Sequence, residues 1–273
     1  ILIIEGASWI FYSFIVFVFL KFIFKDLITI YMSHSIESEI RKKYSNKIIF
    51  NITHYFENYI FNKVNFATTV SNQERKKIKR LYKINTILFP NSVEIKKKIG
   101  KRAINCKYIL YSGSYHYKPN KDAIDELNNN IFPELIKKYP NLKLVLTGGG
   151  YKKKYPWLIN KNIVTKNKLY NFIRYALCMC VPLKFGSGTR IKILETLCVG
   201  GIVVSSKKGI EGINLKKKNP PFIYKKNNHL IKKINFVLKN EKLVRKIALS
   251  ERNYYRNKYS MKIKTKEFIE KLF

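Results

Sequence analysis

Short apolar runs recur along this chain, each leading into a stretch with helical periodicity, and that alternation is the tightest constraint on its fold. Runs at residues 1–4, 27–31, 65–70 and 86–89 occupy the first third, and runs at 108–111, 142–146, 163–164, 177–181 and 202–205 follow. Helical patterns are expected over 7–24, 38–63, 74–83, 121–138 with a bend at Pro133, 167–174, 189–199 and from about 230 onward. Strand–helix–strand repeats cannot be joined as hairpins, so the strands must pair in parallel and bury both faces under helices. Two layered α/β domains result. The expected division is a first domain over 1–92, a linker over 93–106, a second domain over 107–255, and a terminal helical piece over 256–273 returning toward the first. The chain opens directly on an apolar strand with Ile1, so it is expected to begin inside its first domain and to leave that sheet incomplete.

Within this alternation one segment carries the most chemistry. Phe185-Gly-Ser-Gly-Thr-Arg-Ile-Lys-Ile-Leu-Glu195 follows the strand at 177–181 and opens the helix that Gly200-Gly201 closes. A glycine turn leaving a strand and entering a helix presents free backbone N–H groups and the positive helix end, which together favour an anion. On a helical wheel Ile191, Leu194, Leu197 and Cys198 form the apolar stripe, and Lys192 and Glu195 share the opposite face at i,i+3. Gly186, Ser187 and Gly188 with Arg190 and Lys192 would suit a diphosphate, and Glu195 a ribose. The alternative for this helix alone is a solvent-facing Lys–Glu pair worth a few tenths of a kcal/mol. The loop Met32-Ser-His-Ser-Ile-Glu37 lies at the carboxyl end of its strand, where doubly wound sheets bind ligands. Gly148-Gly-Gly150 lacks the GxxxxGK spacing of a P-loop and reads as a turn at the same edge.

A formal net charge of +37 over 273 residues invites a nucleic-acid reading. The lysines, however, are spread along the chain rather than gathered with arginine and aromatics on one element, so no nucleic-acid partner is expected. The field favours anionic substrates and anionic membranes. Residues 7–24 are almost continuously apolar, but the uncharged run between Glu5 and Lys21 falls short of the ~18–20 residues of a spanning helix. A helix in a sheet layer, or one resting on a membrane, is expected instead. The four cysteines lack paired metal-ligand spacing and read as reduced core thiols, so a cytoplasmic protein is expected, and the apolar helix with the lysine-rich surface adds an expected peripheral attachment at the inner membrane face.

Taken in order, several pieces resemble the retaining glycosyltransferases of family 4. They are His34-Ser-Ile-Glu37, Thr69-Val-Ser-Asn72, Phe89-Pro-Asn91, Gly113-Ser114 with Lys118-Pro-Asn120, Pro182 through Glu195, and Gly209-Ile-Glu-Gly212. The resemblance implies the GT-B architecture, two facing Rossmann-like domains with parallel sheets, the N-terminal one incomplete here. It implies transfer of a sugar from a nucleotide-sugar to a hydroxyl acceptor, with retention, in glycan or glycolipid biosynthesis. The acceptor would be a glycan, a lipid-linked hydroxyl or another alcohol, and no metal or other cofactor would be required. By the same resemblance Gly113, Ser114, Gly186, Ser187, Gly188, Arg190, Lys192, Glu195, Glu211 and Gly212 would hold the donor, and His34 would act catalytically beside the transferred sugar. Two departures stand out. Ser187 occupies the place of a second glutamate that touches the donor sugar in many members, and Ser114-Tyr-His-Tyr-Lys118 replaces a loop that carries Arg and Lys. An epimerase or phosphorylase of the same fold, and a non-catalytic basic membrane- or nucleic-acid-binding protein, are the competing readings.

Overall fold

The computed structural model describes residues 1–6, 10–94, 100–186, 189–216, 222–224 and 227–272. The chain divides into two units, one built mainly from Ile1–Asn91 with Lys262–Phe273 and the other from Ser92–Gly186 with Arg190–Met261.

The first unit runs β1 (Leu2–Gly6), α1 (Ile10–Ile23), β2 (Thr29–Ser33), α2 (Glu37–Tyr44), α3 (Lys47–Lys63), β3 (Phe66–Thr69), α4 (Asn72–Tyr82) and β4 (Ile87–Leu88). Its four strands pair in parallel in sequence order, with Ile3 opposite Ile30 and Tyr31 opposite Ala67. The single helix expected over 38–63 is two. Ser45 ends the first and Asn46 caps the second, its side chain accepting the Ile49 N–H at 2.9 Å, because Asn gains more at a helix start than in a helix interior. Helix α2 has no cap of its own at Ile36. The fully buried Glu57 of α3 caps it instead, accepting the Glu37 and Ser38 N–H groups at 2.9 and 3.1 Å and the Tyr82 hydroxyl at 2.6 Å.

Helix α1 buries only Ile10 and Phe17 among its described residues. Phe14 stacks on Phe56 of α3 at 4.4 Å, while Phe11, Phe19 and Phe22 face outward, Phe22 with 81% of its surface exposed. Among the described residues no helix is long and apolar enough to cross a membrane.

The second unit runs β5 (Tyr108–Ser112), α5 (Lys118–Glu126), a π-helical turn (Leu127–Ile131), α6 (Phe132–Lys138), β6 (Lys143–Thr147), β7 (Leu158–Asn160), α7 (Lys166–Tyr175), β8 (Cys178–Val181), α8 (Ile191–Val199), β9 (Val203–Ser206), β10 (Phe222–Tyr224), α9 (Asn227–Lys239) and α10 (Glu241–Lys258). The bend expected at Pro133 is that π turn, where the helix locally rewinds ahead of a proline that lacks its N–H. The strand expected at 163–164 lies instead at Leu158–Asn160. Leu144 pairs with Leu158, and the chain then turns through Asn162 at φ 51°, leaving Ile163 83% exposed. A final helix, α11 (Met261–Ile269), belongs mainly to the first unit, where Phe268 packs on Phe89 at 4.6 Å.

The six strands of this unit are all parallel in the order β10-β9-β8-β5-β6-β7. From β5 the chain adds strands in one direction, then returns to pair β8 on the other side. The gap between the carboxyl ends of β5 and β8 is therefore the topological switch point, where open α/β sheets form their ligand crevice. Tyr108 to Tyr111, Leu144 to Leu146 and Cys178 to Val181 are buried on both faces, which is why these strands read as unbroken apolar runs. All four cysteines are free thiols, and burial pushes Cys178 up to about 12.

Candidate donor site

Three loops converge on the switch point. Strand β5 leads into Gly113, whose φ of +154° and crowded surroundings both require glycine. A Cβ there would stand 2.7 Å from Asn120 Nδ2 and 2.8 Å from Lys192 Nζ. Strand β6 leads into Gly148, and a Cβ on that residue would lie 2.4 Å from the Gly113 carbonyl carbon. The two strand exits thus touch backbone to backbone. Strand β8 ends at Pro182–Gly186, held by Lys184 donating to Glu126 Oε2 at 2.8 Å. The end of β9 is strapped beside it, since Ser205 Oγ donates to the Val181 carbonyl at 3.2 Å and Ser206 Oγ to the Leu183 carbonyl at 2.5 Å.

Helix α8 starts directly after the β8 loop. The Arg190 carbonyl accepts from Ile193 and Leu194, but among the described residues no side chain caps the helix, whereas Asn46, Ser71 and Thr165 each cap theirs. The positive helix end therefore keeps backbone donors for an anion. Gly186 lies at φ +115°, and a Cβ on it would come 3.1 Å from the Arg190 guanidinium, so glycine lets the cation fold over the turn.

The wheel drawn for α8 is corrected here. Ile191, expected in the core, is 49% exposed, and Glu195, expected on the face opposite the buried stripe, is 7% exposed. Ile193 and Thr196 are buried as well, because the helix is covered by α7 and α10 as well as by the sheet. The simple solvent-facing Lys–Glu pair is thereby excluded. Lys192 is directed to the β5 exit. Its Nζ donates to Asn120 Oδ1 at 2.9 Å and to the Tyr111 hydroxyl at 3.2 Å, and lies 4.2 Å from the Tyr111 ring centre. Burial, reinforced by the Arg190 charge and partly offset by Glu195, pushes the ammonium down to about 7. Glu195, one turn on, accepts from the Tyr170 hydroxyl of α7 at 3.4 Å. Its burial raises the carboxyl above the ordinary value, against the pull of Lys166, Tyr170 and Lys192.

Gly113, Ser114 and Lys192 thus meet around Asn120, and Gly186 meets Arg190. Ser187 and Gly188 lie outside the described residues. Glu211 is engaged by Lys208 within its own turn, and Gly212 closes that turn at φ +80°. His34, on the first unit, is half-buried, its N–H donating to the Gly6 carbonyl at 3.4 Å. Its neighbour Ser35 donates to Glu37 at 2.8 Å. Sequence reasoning misses Tyr111, Asn120 and Tyr170. The Pro119-Asn120 helix start is a visible signal for Asn120, whereas Tyr111 and Tyr170 look like ordinary core residues.

No curated protein sequence matches this chain. Among solved structures it is similar to the sucrose-phosphate synthase of Thermosynechococcus elongatus, at 16% identity and a TM-score of 0.78, covering 99% of this chain and 73% of that one. Anabaena Alr3699/HepE in complex with UDP-glucose matches at 12% identity and a TM-score of 0.76, over 99% and 78% of the two chains. TarM matches at 15% and 0.72, over 90% of this chain but only 50% of TarM. At such identities the likeness shows the GT-B fold. The family model described as glycosyl transferases group 1 matches residues 106–240, the span that holds β5 to β10 and every residue of the candidate donor site above. That span is similar to the glycosyl transferases group 1, in a chain of two α/β units, each with a parallel sheet.

Proposed function

We propose that this chain moves a glycosyl unit from a nucleotide-sugar to a hydroxyl acceptor, with retention of configuration, in glycan or glycolipid biosynthesis. The observation that carries the reading is the cluster at the switch point, where glycine-shaped loops, a helix start with no side-chain cap among the described residues, Arg190 and Lys192 are brought to one sheet edge. In the reaction the bond between the anomeric carbon and the diphosphate oxygen breaks, and a bond to the acceptor oxygen forms. The acceptor proton passes to the departing diphosphate. Cations and backbone dipoles that stabilise the leaving group do more for this chemistry than any single base. Gly113, Ser114, Gly186, Arg190 and Lys192 take the diphosphate, Glu195 the ribose and Glu211–Gly212 the donor's far side; no metal enters this scheme. His34 is the catalytic candidate by family resemblance. The first unit is read as the acceptor side and the second as the donor side. Supporting the donor class, one similar structure is described as a complex with UDP-glucose.

The outward aromatic face of α1, with Ile48, Ile52 and Tyr55 of α3 also exposed, and the net charge of +37 support peripheral attachment to an anionic membrane. The test of the reaction is release of nucleoside diphosphate from a nucleotide-sugar with and without hydroxyl acceptors. Acceptor-dependent release is expected. Conversion of the sugar without an acceptor would instead establish an epimerase.

A further inference from the structure

We propose that Asn120, backed by Tyr111, is the positioning residue that sets the Lys192 ammonium against the Gly113–Ser114 turn and so decides how tightly the diphosphate is held. The inference rests on the diphosphate reading of the site above and deepens it. Asn120 joins all three segments through one side chain. Its Oδ1 accepts from Lys192 Nζ at 2.9 Å and from the Tyr111 hydroxyl at 2.8 Å, and its Nδ2 donates to the Ser114 carbonyl at 3.0 Å. Helix α8, strand β5 and the loop beyond β5 are thereby tied through a single amide that is 9% exposed. The amide itself is fixed, because Asn120 N–H donates to the Tyr117 carbonyl at 2.8 Å and Pro119 sets the first turn of α5.

The chemistry of the amide matters as much as its place. An acceptor and a donor on one planar group can hold an ammonium on one side and a carbonyl on the other. A carboxylate could not donate to Ser114, and a hydroxyl would not span the distance. Tyr111 adds a ring face and a hydroxyl to the same ammonium, which leaves its position overdetermined. Gly113 completes the arrangement, since any side chain there would collide with both Asn120 Nδ2 and Lys192 Nζ. An ammonium held in place before the ligand arrives loses little freedom on binding, which is where preorganisation gains affinity.

The test is a double-mutant cycle on the intact chain, with binding of uridine diphosphate and of uridine measured by titration calorimetry. Asn120→Ala is expected to weaken uridine diphosphate by roughly tenfold and uridine by less than about twofold. In a Lys192→Ala background the same change should cost uridine diphosphate less than about twofold, because there is no ammonium left to position. Tyr111→Phe, which keeps the ring and the volume, should show a smaller loss that likewise disappears without Lys192; if Asn120→Ala does not fold, this variant decides the matter alone. Equal losses for uridine diphosphate and uridine, or losses that persist undiminished in the Lys192→Ala background, would make Asn120 a structural tie only and overturn the proposal. If Lys192→Ala itself leaves uridine diphosphate binding unchanged, the underlying diphosphate reading fails, and that result is distinct from a failure of the cycle.

Discussion

The titration of Lys192 gives a sharp check on the donor site. The ammonium is pushed down to about 7, first by burial and then by Arg190, with Glu195 acting in the opposite direction. A base with a depressed pKa is charged below that value and neutral above it. Between pH 6 and pH 8 its charged fraction therefore falls from about nine tenths to about one tenth. If the charged form holds the diphosphate, the apparent dissociation constant should rise about tenfold over that interval, or about 1.4 kcal/mol. The ligand must not titrate in the same window. Uridine diphosphate glucose, esterified at both phosphates, meets that condition. Calorimetry near pH 7 in buffers of different ionisation enthalpy should also show uptake of about half a proton per ligand bound. Lys192→Arg, with a guanidinium that stays charged, should flatten the profile. An affinity that is level from pH 6 to pH 8, with no buffer dependence, would refute the placement of the diphosphate at Lys192.

Glu195→Ala should weaken nucleoside and nucleoside diphosphate alike while leaving the thermal midpoint nearly unchanged; unchanged affinity by calorimetry would remove Glu195 from the ribose. His34→Ala is expected to lower turnover on the order of a hundredfold with donor affinity nearly intact, and a loss within about twofold would end its catalytic assignment. Glu57→Ala strips two helix N–H groups and the Tyr82 hydroxyl of their buried acceptor, so urea denaturation should register a loss of about 3–5 kcal/mol. A loss under about 1 kcal/mol would mean that water reaches the end of α2.

The alternation of apolar runs with helical periods was enough to fix the parallel α/β class, because only buried parallel strands read as unbroken runs such as Tyr108 to Tyr111. Gly186, the start of α8 at Ile191 and the nearby cations Arg190 and Lys192 were legible as local features, since a glycine, a helix start and charges lie within a few residues; the anion they are read to hold stays a proposal. Where the sequence misled, the deciding partner was distant. Leu158, not Ile163, became the edge strand because it matched Leu144 in register and the chain turned at Asn162. Helix α2 is capped by Glu57, twenty positions away, so no local pattern marked it. The wheel for α8 placed Glu195 on the face opposite the buried stripe because a wheel knows one buried side, whereas α7, α10 and the sheet together bury Glu195 and Thr196 as well. The switch point itself is a matter of strand order. That β8 returns to pair with β5 brings Lys192 within 3.2 Å of Tyr111, eighty-one residues back, and pushes its ammonium toward neutrality. Periodicity and glycine chemistry act over a few residues, so the sequence alone displays them. Desolvation and long-range pairing depend on what the rest of the chain packs around a group, and only the folded structure decides that.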